Sequence, residues 1–297
     1  MTKTSVIIPF HNDLENLQKC LEALSAQTYP TEDFEIIAVD NGSLGNSDKI
    51  KVMYPRVRWL TELQPGSYAA RNMGVLHARG SILAFTDADC IPSSKWLHAA
   101  ITSLEETKAT IIGGRIDYVN RLGQTLNIYE LFEEEFFLLG KQKYLVDKLG
   151  VAATANLVAY KAVFDRVGLF TQGLMSFGDG EWTQRATSKG EVLRYTDFAV
   201  VYHPRRNTFR GIFRKARRLA GGRTVLLMRE KEPVGHLVAD IYRYSILNPR
   251  VHRYAFRFPN IKDPIQKLKM FFLVEFLSLA NTFEKIRALL GAGSYRG

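Results

Sequence analysis

The sequence predicts an α/β protein with a mostly parallel central sheet flanked by helices, followed by a helical, basic C-terminal extension. Three observations predict it. In the first hundred residues, short β-branched apolar runs alternate with segments of helical period, an order that calls for parallel strands with helices on their faces. The polar residues of unusual chemistry fall just after those apolar runs, where open α/β sheets bind ligands. The charge is also split: residues 203–297 carry 20 Lys/Arg against 6 Asp/Glu, while residues 1–202 are slightly acidic, within an overall net charge of +10.

Taken in order, "TSVIIPF" (4–10) and "FEIIAVD" (34–40) have the composition of buried parallel strands. Between them Leu14, Leu17, Leu21 and Leu24 recur at three and four residues, which defines one helix face, with Asp13 as N-cap. "VRWL" (57–60) is a third strand, "SYAARNMGVLHA" (67–78) a helix and "SILAFT" (81–86) a fourth strand. Pro92 breaks the chain and "SSKWLHAAITSL" restarts it as a helix. "TIIGGRI" reads as a strand, and "LNIYELFEEEFFLLGKQKYLVD" mixes helical spacing with an acidic run. "VAATANLVAY" (151–160) is apolar enough to be buried, "GEWTQRATSKG" (180–190) is a polar helix ending at Gly190, and "EVLRY" and "FAVVYH" are two short strands. After Pro204 the chain turns helical and basic, so the expected division is an α/β domain over 1–203, with halves 1–110 and 111–203, and a C-terminal region over 204–297.

Composition narrows the class. Hydrophobic residues make up 46% and charged residues 24%, which fits a folded globular chain and excludes compositional disorder. Cys20 and Cys90 match neither a disulfide framework nor a metal-site spacing; Cys20 falls on a helix's apolar stripe, and a reducing cytosol is the expected compartment. "MTKTSVIIPFHND" turns polar too soon for a secretory signal, and no run reaches the roughly 18 uncharged apolar residues of a spanning helix.

The chemistry gathers at the ends of the strands. "FTDADCIP" places Asp87 and Asp89 one residue apart just past an apolar strand, where they repel unless solvent or a cation intervenes. Carboxylate pairs suit Mg²⁺ or Mn²⁺, with ligand phosphates completing the octahedron. Asp40 ends the second strand before the turn "NGS", and His11 and Asn12 follow the first. Gly66 precedes a helix whose first turn can meet a phosphate, with Arg71 and Asn72 in that helix.

The ordered set "SVIIPFHN", "EIIAVDNGS", "QPGSYAARNMG" and "FTDADC" resembles the donor-binding half of family 2 glycosyltransferases, inverting enzymes of the glycosyltransferase-A fold. The resemblance implies that Pro9, His11 and Asn12 border the donor, that Asp40 contacts the nucleobase, and that Gly66 and Arg71 belong to a complete G-x-x-x-A-R-N-x-G pattern with Ala70, Asn72 and Gly74. It makes Asp87-Ala88-Asp89 a D-x-D motif, with Asp89, Asp87 and His203 as ligands of Mn²⁺ or Mg²⁺. It places the catalytic base at Asp179, in a "GD" where the family often has Glu-Asp, and an acceptor side around Asn156, Glu181 and Trp182. Asp179 before "EWTQRATSKG" also fits a helix start, and the two roles are compatible. Arg205 and Arg206 are placed as donors to the diphosphate. The implied reaction moves a hexosyl group from a nucleotide-sugar, UDP-sugar by default, to a saccharide or lipid-linked hydroxyl in cell-surface polysaccharide or glycolipid assembly.

The basic region has its own pattern. "FRGIFRKARRLAGGR" is an amphipathic basic helix, and 265–290 is strongly apolar but too charged to span a membrane. Both suit peripheral contact with an anionic membrane surface on its cytoplasmic face; packing on the body or on a second copy stays open. Among rivals, a nucleotidyltransferase would share the sheet and the metal but use a triphosphate. A basic protein binding nucleic acid leaves the acidic rim unexplained, and no nucleic-acid-binding motif appears. A dinucleotide-binding dehydrogenase is excluded because no G-x-G-x-x-G follows the first strand and no strand precedes the terminal "GAGSYRG".

Overall fold

The computed structural model describes residues 3–45, 47–119, 125–243, 245, 248, 249, 261 and 263–293; the last four residues of "GAGSYRG" and much of 244–262 lie outside the described residues. Two compact units emerge. The first comprises residues 1–121, 138–173 and 178–204, and the second 122–137, 174–177 and 205–297.

The first unit is built on an eight-stranded sheet. Its strands are β1 (Thr4–Phe10), β2 (Phe34–Asp40), β3 (Val57–Thr61), β4 (Ile82–Phe85), β5 (Ile91–Pro92), β6 (Ile111–Tyr118), β7 (Leu157–Tyr160) and β8 (Leu193–His203), in the order β3-β2-β1-β4-β7-β6-β8-β5. β3, β2, β1 and β4 run parallel; β7 is antiparallel to both β4 and β6, and β8 returns parallel to β6. The connections are α1 (Leu14–Ser25), α2 (Asp48–Met53), α3 (Ser67–His77) and α4 (Trp96–Thr107), then α6 (Gln142–Leu149), α7 (Lys161–Val167) and α8 (Gly178–Ser188) in the second half. α5 (Ile128–Phe136) belongs to the other unit.

β1 is buried along its whole length, and its alternation explains why both faces carry helices. Val6, Ile8 and Phe10 enter one core with Leu17, Cys20, Leu21 and Leu24 of α1 and with Trp96 and Leu97 of α4. Ile7 points to the other face, where α3 approaches so closely that a Cβ at Gly74 would lie 2.4 Å from an Ile7 methyl. Glycine there is a packing requirement, and the motif's Ala70, fully buried, serves the same close approach.

One sequence expectation changes in the second half of the sheet. "EVLRY" and "FAVVYH" form one strand, β8, whose register against β6 shifts between Gly114 and Arg115. The polar "TD" between them is the strand's passage over that irregularity. Asn156 fills it: its Nδ2 donates to the carbonyls of Arg115 and Ala199, both at 2.8 Å, and its Oδ1 accepts from Trp96 Nε1.

The second unit contains α5, α9 (Phe209–Arg229), α10 (Val234–Arg243) and α11 (Pro264–Arg287); α5, α9 and α11 share a core of Phe132, Ile212, Ala216, Met270, Leu273, Val274 and Leu277. Local signals set the helix starts. Asn127 and Glu130 form a reciprocal capping box on α5, and Thr208 and Asp263 cap α9 and α11. One member of the acidic run of α5 is withdrawn from solvent. Glu133 is fully buried and accepts from Lys215 Nζ and Arg206 Nη1 at 2.8 Å, and from the Arg206 backbone N–H at 2.7 Å. Burial alone pushes its pKa up, but Lys215 and Arg206 together hold the carboxyl below its usual value. Burial, with Arg206 beside it, brings Lys215 down to about 8.

Glu133→Gln leaves buried Lys215 and half-buried Arg206 without their carboxylate and is expected to cost about 3–5 kcal/mol in chemical denaturation. Because the folded pKa of Glu133 is depressed, its contribution is present above the unfolded carboxylate value and lost as pH falls through the folded one. The variant's stability therefore declines less steeply between about pH 5 and pH 2. A loss under about 1 kcal/mol would contradict the ion pair's role.

Candidate active site

β1 is flanked by β2 on one side and β4 on the other, so the chain reverses its order of strand addition at β1. A cleft of about 210 Å³ opens at that point, lined by Pro9, Phe10, His11, Asp13, Ser67, Arg71 and Asp87–Asp89. The register sets Phe10 beside Asp40 and Ile7 beside Phe85, which brings the loops after the three strands to one rim.

Arg71 divides the two aspartates. It is buried on α3, and its Nη2 forms an ion pair with Asp87 Oδ1. Its Nε is also buried and has no partner among the described residues. Asp87 is thus neutralised from within the protein, whereas the sequence had set it among the metal ligands. Asp89 faces elsewhere: its Oδ2 lies 3.7 Å from His203 Nε2 at the end of β8. His203 Nδ1 lies 2.7 Å from the Pro204 carbonyl, to which it donates, so in the neutral ring Nε2 turns a lone pair toward the carboxylate. Two acceptors facing one another at more than hydrogen-bond length fit a cation that touches both. Cys90 completes the cluster, with its ligand atom and those of Asp89 and His203 within 4.8 Å of one another. Burial pushes the Cys90 thiol well up, and the Asp89 carboxylate is the donor of the three that suits Mn²⁺ or Mg²⁺.

Asp179 sits in the first turn of α8 and is tied on both oxygens. Oδ1 accepts from Tyr68 Oη at 3.1 Å and from the Gly180 N–H, and Oδ2 accepts from the Thr154 N–H at 3.2 Å. Tyr68 lies next to Ser67 in the first turn of α3, and the Arg71 guanidinium lies 5.5 Å from its ring centroid. Asp87, Arg71, Tyr68 and Asp179 therefore form one connected series. It also explains the chain's Gly178: a Cβ there would lie 2.7 Å from the Tyr68 ring, so the tyrosine occupies the room in which the family often carries a glutamate.

The remaining expected residues divide. Pro9 and His11 line the cleft; His11 Nδ1 donates to the Asn41 carbonyl, and Asn12 Oδ1 accepts from the Leu44 N–H at 2.7 Å. Asp40 accepts from the Ser43 N–H and closes the turn after β2. Gly66 donates to Asn41 Oδ1 at 2.7 Å, and the same asparagine donates to the carbonyls of Glu62 and Gln64. Asn41 thus organises the approach to α3, and it was missed because an "NG" turn explains it locally. Asp13, expected as a cap, makes no cap hydrogen bond and lines the cleft instead.

Five expected site residues are engaged elsewhere. Asn156 is fully buried in the β6/β8 irregularity, and Trp182 is fully buried, stacked on Phe164 at 4.3 Å with its Nε1 donating to the Gly168 carbonyl; neither can meet an acceptor. Glu181 accepts from Nε and Nη2 of Arg185 and from Thr171 Oγ1, which makes it a brace of α8. Arg205 and Arg206 pair with Glu134 and Glu133 within the second unit.

The fold is that of the glycosyltransferase-A class. Residues 5–168 match the model of glycosyl transferase family 2. Glycosyltransferase AglE of Haloferax volcanii is 36% identical over 233 residues, covering 76% of this chain and 75% of that protein. The mannosyltransferase PcManGT from Pyrobaculum calidifontis, solved in complex with GDP-Man and Mn²⁺, superposes with a TM-score of 0.57 at 18% identity, over 98% of this chain and 74% of that one. Residues 1–349 of TarS from S. aureus, solved with UDP, give 0.54 at 16%, over 98% of this chain and 91% of that one. The chain belongs to glycosyl transferase family 2 and is a glycosyltransferase.

Gly178→Ala is expected to cost about 1–3 kcal/mol by driving a methyl into Tyr68. Tyr68→Ala in the same chain should recover part of that loss, a non-additivity above about 0.5 kcal/mol in a denaturation cycle. Strict additivity would contradict the contact.

Proposed function

We propose that the chain transfers a hexosyl group from a nucleoside-diphosphate sugar to a hydroxyl acceptor, with inversion and with Mn²⁺ or Mg²⁺ as cofactor. The observation that carries this reading is the split carboxylate pair: Arg71 satisfies Asp87, which frees Asp89 to face the His203 lone pair at the cleft. Asp89 and His203 would hold the ion. When bound, it supplies Lewis-acid stabilisation of the leaving diphosphate's negative charge.

The chain's own residues supply the rest. Arg71 lines the cleft, and its guanidinium is a charge-assisted donor suited to a phosphate oxygen. Pro9 and His11 border the donor, and Asp40 at the end of β2 is assigned to the nucleobase. Asp179, steered by Tyr68 and Thr154, takes the acceptor's proton while the acceptor oxygen bonds to the anomeric carbon and the bond from that carbon to the phosphate oxygen breaks. A single base without an enzyme nucleophile gives one displacement and an inverted product. A UDP-sugar is the default donor, and the acceptor is a saccharide or lipid-linked hydroxyl of a cell-surface polysaccharide or glycolipid, met on the cytoplasmic side. PcManGT with GDP-Man and Mn²⁺ and TarS with UDP support donor class and metal.

A thermal-shift panel of nucleotide-sugars with Mn²⁺ identifies the donor, and release of nucleoside diphosphate rather than pyrophosphate separates this reaction from nucleotidyl transfer. With the donor found, Asp179→Asn should lower turnover by about 10²–10⁴-fold while calorimetric binding of the nucleotide with Mn²⁺ is kept. Asp89→Ala should weaken that binding and leave metal-free nucleotide binding unchanged. Near wild-type turnover in Asp179→Asn would overturn the base assignment.

A further inference from the structure

α11 has two unlike faces. Met270, Leu273, Val274 and Leu277 enter the helical unit's core. On the opposite side, every exposed position between 271 and 290 is a large hydrophobe: Phe272, Phe276, Leu279, Phe283, Ile286 and Leu290. Their spacing of four and three residues lines them up as one stripe, with Phe283 66% and Leu290 83% exposed. A solvated helix places charge on such a face, and a stripe of this length marks an interaction surface. The patch continues onto α9, where Phe209 and Phe213 lie 5.4 and 5.8 Å from the Phe276 ring.

The charge around the stripe selects its occupant. Glu133, Glu284 and Asp240 are buried and already held by Arg206 and Lys215, by Arg217 and Arg287, and by Lys285. The cations left beside the stripe have no such use. Arg210 and Arg214 each follow one of the α9 phenylalanines, and Lys267 and Lys269 lie in the first turns of α11; none of the four makes an ion pair among the described residues. A second copy docked on this face would set a cationic rim against a cationic rim. An anionic lipid surface offers acyl chains to the phenylalanines and headgroups to the arginines and lysines at the same depth. At about 1.5 Å per residue, the 24-residue helix runs roughly 36 Å. No helix among the described residues is long and apolar enough to cross a membrane, and α11 is packed on its other face, so the contact lies in the membrane plane.

We propose that the outward face of α11, with Phe209 and Phe213 of α9 and the cationic rim, is a contact for an anionic lipid surface. The contact requires no nucleotide-sugar, and it stands or falls apart from the transferase reading.

The test is co-sedimentation of the full chain, without nucleotide or metal, with vesicles of phosphatidylcholine alone or mixed with phosphatidylglycerol. Binding is expected to the anionic vesicles at low salt and to weaken as salt rises. Phe276→Ser with Phe283→Ser, and separately Arg210→Glu with Arg214→Glu, should each lower the bound-to-free ratio by about tenfold or more at an unchanged melting midpoint. In a Phe276→Trp chain, added fluorescence should shift to the blue and be quenched by bromine-labelled acyl chains on vesicle binding. No binding at low salt, equal binding to neutral vesicles, or a soluble dimer that the serine pair dissociates would each overturn the proposal.

Discussion

The ion pair between Arg71 and Asp87 is the constraint on which the rest of the active site depends. Two aspartates one residue apart at a sheet rim repel each other, and a buried guanidinium without a carboxylate is costlier still. Each removes the other's penalty. With Asp87 committed to Arg71, Asp89 turns toward His203, and a carboxylate oxygen then faces an imidazole lone pair with room between them. The same guanidinium lies beside the Tyr68 ring, which reaches Asp179. The residues proposed as cation site, phosphate donor and base are thereby tied to one helix, α3.

Why α3 can do this follows from how it is packed. Gly74 and Ala70 let its axis come close to β1, and Asn72 exchanges two hydrogen bonds with the Phe170 backbone, at 2.8 and 3.0 Å. The helix is pinned on both flanks before Arg71 is placed. The A-R-N-x-G pattern is therefore mostly packing residues around a single arginine. The neighbouring Gly178 belongs to the same logic, because it yields its side-chain space to Tyr68.

The parts legible in the sequence were those fixed locally. β1 and β2 run from Thr4 to Phe10 and from Phe34 to Asp40, the residues the apolar runs mark, because buried parallel strands leave no room for polar interruption. β8 was broken in two by its polar middle, since a bulge satisfied by Asn156 from another segment has no local signature. α2 and α7, of 6 and 7 residues, are too short to show a period. In the site, the rim was legible from strand ends, but the sharing of charge was not. Asp87 finds Arg71, and Arg206 finds Glu133, across intervals that only the fold closes. Asn156 and Trp182 carry polar atoms that resemble site chemistry in a string of letters, yet both spend them inside the core. Cys90, at first without metal-site spacing, joins Asp89 and His203 only once β8 is placed.

The central claim is the division of labour between the aspartates, and the coordination sphere of Mn²⁺ bound with nucleoside diphosphate reports it directly. Pulsed electron paramagnetic resonance of that complex should show one imidazole-nitrogen coupling. The account predicts that the coupling vanishes in His203→Phe and persists in Asp87→Asn. A spectrum with no nitrogen coupling in the unsubstituted chain, or a coupling that survives His203→Phe, would contradict it.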